Sequence, residues 1–164
     1  MQYTCNYSSP LGEMLIASDG SAVTGLWFIG QKYFGSTLEA EYAEKALPVF
    51  GQTVRWLDDY FQGNVPMEMP PVSFNSSSFR IRVWKLLMEI PYGHTVTYGE
   101  IARTLEKQTG RRICAQAVGG AVGHNPVSII VPCHRVIGSN GLTGYAGGLD
   151  KKLALLRLEG VNVH

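Results

Sequence analysis

The pattern of apolar and polar positions changes character once along the chain. Toward the N-terminus, residues 1–7, 14–18 and 22–28 form short runs rich in aromatic, aliphatic and β-branched side chains, which predicts three strands. Ser8-Ser-Pro-Leu-Gly12 and Asp19-Gly-Ser21 have the composition of the turns that would join them. Phe50, Val54, Leu57 and Phe61 then recur at helical spacing and are expected to face a core. Farther along, Phe79, Val83, Leu86 and Ile90 make an apolar helical stripe that Pro91-Tyr-Gly93 ends. Thr97-Tyr-Gly-Glu100 has the spacing of a capping box and opens an expected helix over 98–106. A turn at Lys107-Gln-Thr-Gly110 leads to a second helix over roughly 112–122, with Ile113, Ala117, Val118 and Ala121 facing inward. Residues 127–131 read as a buried strand that Pro132 ends. A last helix points Leu149, Leu153 and Leu156 inward and stops at Glu159-Gly160.

Between the two halves, residues 63–78 hold three prolines and four serines, and Pro70-Pro71 cannot continue a helix. This predicts an α+β chain in two parts. Residues 1–72 would form a small antiparallel-sheet-plus-helices lobe of structural role, 73–78 a linker, and 79–164 a mostly helical lobe with a winged-helix-like helix-turn-helix.

A length of 164 residues suits one domain or two small ones. No apolar run approaches the ~20 residues of a membrane span, and the first residues lack the basic start and apolar core of a signal peptide. A cytoplasmic protein is expected. Three cysteines exclude a full disulfide framework, and neither they nor the four histidines have metal-site spacing.

The net charge of +1 hides an asymmetry: residues 1–75 carry three basic and eight acidic groups, residues 76–164 eleven basic and five acidic. Either the second half meets a polyanion or the surface charges are unevenly scattered. Arg103, Lys107, Arg111 and Arg112 around the expected helix pair favour DNA, although many helix pairs bind nothing.

The strongest chemical signal is Pro132-Cys-His-Arg135. An imidazole and a guanidinium beside a thiol are surroundings that lower a cysteine pKa and populate the thiolate, so a depressed Cys133 pKa is expected. A buried, inert cysteine is the competing reading, but it leaves the polar crowding on one turn unexplained. Glu159, the only acidic residue after Asp150, is either the partner of His134 or a solvated carboxylate at a helix end. The glycine-rich stretch 138–148 could wrap a flat ligand, and no Gly-Lys-Ser/Thr follows it to make a phosphate loop.

These motifs together resemble the O6-alkylguanine–DNA alkyltransferases. The resemblance rests on Asn125-Pro126 ahead of Pro132-Cys-His-Arg135, on Tyr145-Ala-Gly-Gly148 and Leu158-Glu-Gly160, and on Pro91-Tyr-Gly93 leading to Thr97-Tyr-Gly-Glu-Ile101. Ser9-Pro-Leu-Gly12 extends it to the first hairpin. It implies a stoichiometric reaction in which Cys133 takes the alkyl group from O6-alkylguanine, with O4-alkylthymine a further candidate, in double-stranded DNA. His134, oriented by Glu159, would help remove the thiol proton. Tyr98 would hydrogen-bond the departing guanine, and Asn125 would brace the turns before the nucleophile. The backbone at Val136 would read the flipped base, and Tyr145, Ala146 and Gly147 would shape the pocket. Thr97, Arg111, Arg112, Gln116, Ala117, Gly119 and Arg135 would contact DNA. No cofactor and no metal are implied, and a monomer is expected.

Two departures from the family pattern stand out. Gln116 occupies the place, just before Ala-Val-Gly, where the family usually has the arginine that fills the vacated stack. The stretch 106–112 is also longer than the family's usual turn. The rival functions are a helix-turn-helix sensor or regulator without alkyl transfer, and a cysteine hydrolase that turns over on an acyl substrate.

Overall fold

The computed structural model describes residues 1–142 and 144–162. Thr143 of the glycine-rich stretch, and Val163 and His164 at the end of the expected second lobe, lie outside the described residues. The chain forms two compact units, Met1–Asn75 with Pro126–Ser128, and Ser76–Asn125 with the residues from Ile129 onward. The division falls at 75/76 because Val72 and Ser73 stay with the first sheet. The Val23 N–H donates to Pro71 O at 2.7 Å, and the Ser73 N–H donates to Val23 O at 3.0 Å.

The first unit is built on strands β1 (Gln2–Ser9), β2 (Gly12–Ser18), β3 (Val23–Phe28) and β4 (Tyr42–Glu44), in the order β3-β2-β1-β4. The three expected strands are present, and β1, β2 and β3 pair antiparallel. β4 corrects the expectation of an antiparallel sheet, for it lies parallel to β1. All three of its residues are exposed, so no apolar pattern announced it. A two-residue turn joins β1 to β2 beside Gly12 (φ 128°), where the Ser9 hydroxyl donates to Gly12 O and accepts from the Leu11 N–H. One helix, α1 (Pro48–Phe61), packs on this sheet, with proline at its first position, where its missing N–H costs nothing. Its buried face is Val49, Phe50, Thr53, Trp56, Leu57 and Tyr60, so the stripe is rotated from the expected one, and Val54 and Phe61 lie half-buried at its edges. The Tyr7 hydroxyl donates to Asp58 at 2.7 Å and ties α1 to β1.

The second unit contains α2 (Ser78–Leu87), β5 (Val96–Thr97), α3 (Tyr98–Thr109), α4 (Ala115–Gly123), a 3-10 turn (Cys133–Arg135), β6 (Val136–Ile137) and α5 (Leu149–Leu158). β5 and β6 pair parallel. Val83, Trp84, Leu87 and Ile90 form the buried face after α2 begins, with Phe79 and Leu86 half-buried beside them. The Trp84 indole N–H donates to Ala121 O at 2.8 Å and joins α2 to α4. The capping box of α3 is complete: Thr97 accepts from the Glu100 N–H, and Glu100 accepts from the Thr97 N–H. α3 runs three residues past the expected end, because Gly110 supplies the left-handed cap (φ 69°). The following turn is ordered by Glu106, whose carboxylate accepts from the Ile113 N–H at 3.1 Å. α4 therefore starts at Ala115, and Arg111 and Arg112 sit exposed on the turn before it.

Two expected inward positions are corrected. Ala117 is exposed, because Val118, Ala121 and Val122 form the buried face of α4. Leu149 is 51% exposed; Lys152, Leu155 and Leu156 are the buried residues of α5.

In the first unit the Trp27 ring lies over Gly25 so closely that a Cβ there would stand 2.0 Å from it. Gly25→Ala must drive the buried indole aside, and is expected to destabilise the protein by about 1–3 kcal/mol. Urea denaturation followed by tryptophan fluorescence checks this.

Candidate active site

The segment leading to Cys133 is irregular where the sequence predicts a strand. Val-Ser-Ile-Ile-Val, 127–131, has strong β character, yet only Val127 makes a bridge, to Leu26, and the next three residues turn. Ile129 is left-handed (φ 70°), an unusual state for a β-branched residue that costs on the order of 1–3 kcal/mol. Side-chain and tertiary hydrogen bonds win over local propensity here. The Asn125 amide donates to Val131 O at 2.8 Å, and Leu26 pairs through its N–H with Pro126 O and through its carbonyl with the Ser128 N–H. The Cys133 N–H then donates back to Val131 O at 2.8 Å and closes the 3-10 turn that carries Cys133, His134 and Arg135. All three are buried, and Cys133 is 5% exposed.

Glu159, just past α5, is the hub of this turn. Its carboxylate lies 2.6 Å from His134 Nε2 and accepts from Arg135 Nε at 2.8 Å and Nη2 at 3.1 Å. The Gly93 N–H adds a fourth hydrogen bond at 3.0 Å. Arg135 Nη1 donates to Ile90 O at 2.8 Å, and the Tyr92 ring lies under the guanidinium at 5.8 Å. Burial alone would raise the Glu159 pKa, but the His134 contact, the Arg135 hydrogen bond and the Gly93 N–H hold it at about 2. Burial pushes His134 below its ordinary value, against the pull of Glu159, so the imidazole rests neutral. The partner reading of Glu159 is therefore the correct one, and the solvated helix-end reading is excluded.

The expected depressed thiol is corrected. Burial pushes the Cys133 pKa up, against the downward pulls of a hydrogen bond with Asn125, the Lys152 charge and the N–H groups of Cys133 and His134. Adjacency in sequence did not bring the guanidinium to the sulfur, because Arg135 is turned to Glu159 and Ile90 O. That also corrects its expected place on the DNA-facing surface: both faces of its fork are used inside the protein.

The structure brings together Cys133, Asn125, His134, Arg135 and Glu159. Val136 follows directly in β6, with its N–H donating to Cys133 O. Tyr145, Ala146 and Gly147 are half-buried on the loop before α5, where the Gly148 N–H donates to Tyr145 O at 2.9 Å. On the helix-turn-helix, Tyr98 and Gly119 meet, since the Tyr98 ring lies 3.9 Å from where a Gly119 Cβ would be. Gln116 and Ala117 are exposed on α4, and Thr97 is half-buried at the N-cap of α3.

Lys152 was missed. It is fully buried, and its Nζ donates to Val136 O at 2.5 Å and to Gly144 O at 3.4 Å. The signal lay in the spacing, since Lys152, Leu155, Leu156 and Glu159 fall on one helical stripe. Tyr92 was missed as well: its hydroxyl donates to Leu158 O at 3.3 Å and anchors the end of α5.

The chain is similar to known proteins along nearly its whole length. Residues 2–70 match the family model described as 6-O-methylguanine DNA methyltransferase, ribonuclease-like domain. Residues 78–161 match that described as 6-O-methylguanine DNA methyltransferase, DNA binding domain. A methylated-DNA–protein-cysteine methyltransferase of Mycobacterium tuberculosis is 45% identical over 92% of this chain and 88% of its own length. The crystal structure of M. tuberculosis O6-methylguanine methyltransferase superposes with a TM-score of 0.82 at 41% identity, covering 97% of this chain and 93% of that one. A crystal structure of the M. tuberculosis protein in complex with DNA superposes at 0.80 and 41% identity, covering 96% and 91%. Both domains of one family are matched in order along nearly the whole length, and this chain belongs to the 6-O-methylguanine DNA methyltransferase family.

Proposed function

We propose that this chain is a direct-reversal DNA repair protein that moves the alkyl group of O6-alkylguanine in duplex DNA onto Cys133 in one irreversible step. The observation that carries this reading is the buried Cys133-His134 pair with Glu159 fixed on the far nitrogen of the imidazole. Because Glu159 holds Nε2, Nδ1 is the nitrogen left to take the thiol proton, directly or through a water. The imidazolium so formed is stabilised by the ionised carboxylate, which offsets the burial that otherwise disfavours charge on His134. The thiolate attacks the alkyl carbon, the carbon–oxygen bond breaks, and its electron pair passes to O6. The thiol proton ends on guanine N1, so thiol and alkylguanine become thioether and guanine with no cofactor. A thioether does not hydrolyse readily, and each molecule reacts once.

Guanine O6 is inaccessible in the stack, so the nucleotide must be flipped out. α4 suits a narrow groove: Ala115, Gln116, Ala117 and Gly120 are its exposed residues, and none is bulky. Gln116 would fill the vacated stack, Tyr98 would donate to the leaving base, and Arg111 and Arg112 would hold phosphates. Thr97 and Gly119 would line the same face. Val136 and the loop at Tyr145, Ala146 and Gly147 would bound the base and alkyl pocket. Arg135 serves by fixing Glu159. The protein would act as a monomer, in the cytoplasm; no described helix is long and apolar enough to cross a membrane.

Incubation with a duplex containing O6-methylguanine should add one methylene to the intact mass, on the peptide holding Cys133. Cys133→Ala should bind the duplex and gain nothing, because phosphate contacts supply most of the affinity. A mass gain in Cys133→Ala would overturn the assignment.

Glu159→Gln and His134→Ala should slow single-turnover transfer by on the order of 10²–10⁴ without changing DNA affinity. The Glu159 pKa is lowered on folding from 4.5 to about 2, so its contribution to stability is present above the ordinary carboxylate range and lost as the pH falls toward 2. Glu159→Gln should flatten that part of the acid-unfolding curve.

Gln116→Ala should impair reaction with duplex more than with single strands, where no stack must be held open. Equal losses on the two substrates in single-turnover assays would remove Gln116 from this role.

A further inference from the structure

α4 is the helix that would enter the groove, yet none of its nine residues carries a charged side chain. Affinity for duplex DNA comes largely from cations that neutralise phosphates and release counterions. Those cations must therefore stand beside α4. Arg111 and Arg112 lie just before it, both exposed, and among the described residues neither is in an ion pair. The turn that carries them is tied to the end of α3. The Gly110 N–H donates to Glu106 O at 2.8 Å, with Gly110 left-handed at φ 69°. The Thr109 hydroxyl donates to Leu105 O at 2.8 Å and accepts from the Arg111 N–H at 3.3 Å. The half-buried Glu106 carboxylate accepts from the Ile113 N–H at 3.1 Å, and that bond closes the loop around both arginines.

A carboxylate in this stretch is otherwise out of place. Glu106 falls among Arg103, Lys107, Arg111 and Arg112 in the chain, and its charge opposes that of a phosphate backbone. We propose that Glu106 is a positioning residue for DNA binding: by holding the Ile113 N–H, its carboxylate sets the turn that presents Arg111 and Arg112 to the phosphates. The inference rests on the reading of those two arginines as phosphate contacts. An arginine on a loose loop gives up part of its electrostatic gain when the loop is ordered, and one on a closed turn gives up less. Residues 105–113 supply every bond that closes this turn, so it is formed before DNA arrives. Arg103 and Lys107 are exposed too, but they stand on α3 itself and need nothing from the Glu106 side chain. Charge and geometry thus make opposite demands of this position. On charge alone, removal of Glu106 tightens DNA binding; on geometry, removal loosens it.

The test measures affinity for an undamaged duplex by fluorescence anisotropy at several salt concentrations. Arg111→Ala with Arg112→Ala should flatten the plot of log affinity against log salt by about two, at ~0.9 per phosphate contact, and weaken binding up to about a hundredfold near ~0.1 M salt. Glu106→Ala should weaken binding about tenfold and flatten the plot by about one, although it removes a negative charge. Glu106→Gln keeps an oxygen for the Ile113 N–H and drops the charge, and should bind at least as tightly as the wild type. Glu106→Ala added to the two arginine substitutions should cost nothing further. Tighter binding by Glu106→Ala would overturn the proposal, as would an equal loss with and without the arginines. If Glu106→Ala does not fold, hydrogen exchange of the Ile113 amide in the free wild-type protein decides. Protection supports the preformed turn, and exchange at the unprotected rate refutes it. Arginine variants that bind like the wild type would remove the phosphate contacts and the proposal with them, while the mass gain on O6-methylguanine duplex would still report the repair function separately.

Discussion

One carboxylate organises the turn that carries Cys133, His134 and Arg135. Glu159 is almost entirely withdrawn from water and remains ionised, which is unfavourable in a low-dielectric interior unless its oxygens are fully engaged. Four hydrogen bonds meet that demand, and they come from places far apart in the chain: the turn at Gly93, the 3-10 turn at His134 and Arg135, and the end of α5 itself. The guanidinium is the permanent positive charge of the group, since His134 is held neutral. In the proposed reaction it would leave the imidazole free to change protonation state without an uncompensated charge left behind. Arg135 would then serve that reaction by what it allows His134 to do.

The resting thiol is neutral and the resting imidazole is neutral, each for the same reason, burial. In the proposed reaction, charge separation between them would have to be supported by groups already in place, because both are buried. Preorganised dipoles and charges are effective in such a setting. The rigid frame for them begins with Asn125, whose amide fixes Val131 O two residues before the cysteine.

Local signals were legible in the sequence, and signals that depend on three-dimensional company were not. The Thr97–Glu100 capping box, the first hairpin and the two helices around Gly110 follow from neighbours within a few residues, and each is present. The run 127–131 misled because β propensity describes a residue that fits a pleated surface, whereas Asn125 and Leu26 had already claimed the backbone groups a ladder would use. Leu149 repeats with Leu153 and Leu156 at helical spacing, yet the stripe that is buried is the neighbouring one of Lys152, Leu155, Leu156 and Glu159. Cys133 looked activated because two cationic side chains follow it in sequence. On a 3-10 turn successive side chains diverge, so adjacency along the chain was a poor guide to adjacency in space.

The return of Pro126–Ser128 to the first unit limits how modular the protein can be. The stretch lies between Asn125 and Ile129 of the second unit, a few residues ahead of Cys133, yet its backbone partners belong to β3. No single cut in the chain separates the two units. A fragment beginning at Ser76 would inherit a Pro126 carbonyl and a Ser128 N–H whose partners it lacks. A protein of this lineage that dispensed with the N-terminal unit would have to redesign the segment leading to its counterpart of Cys133.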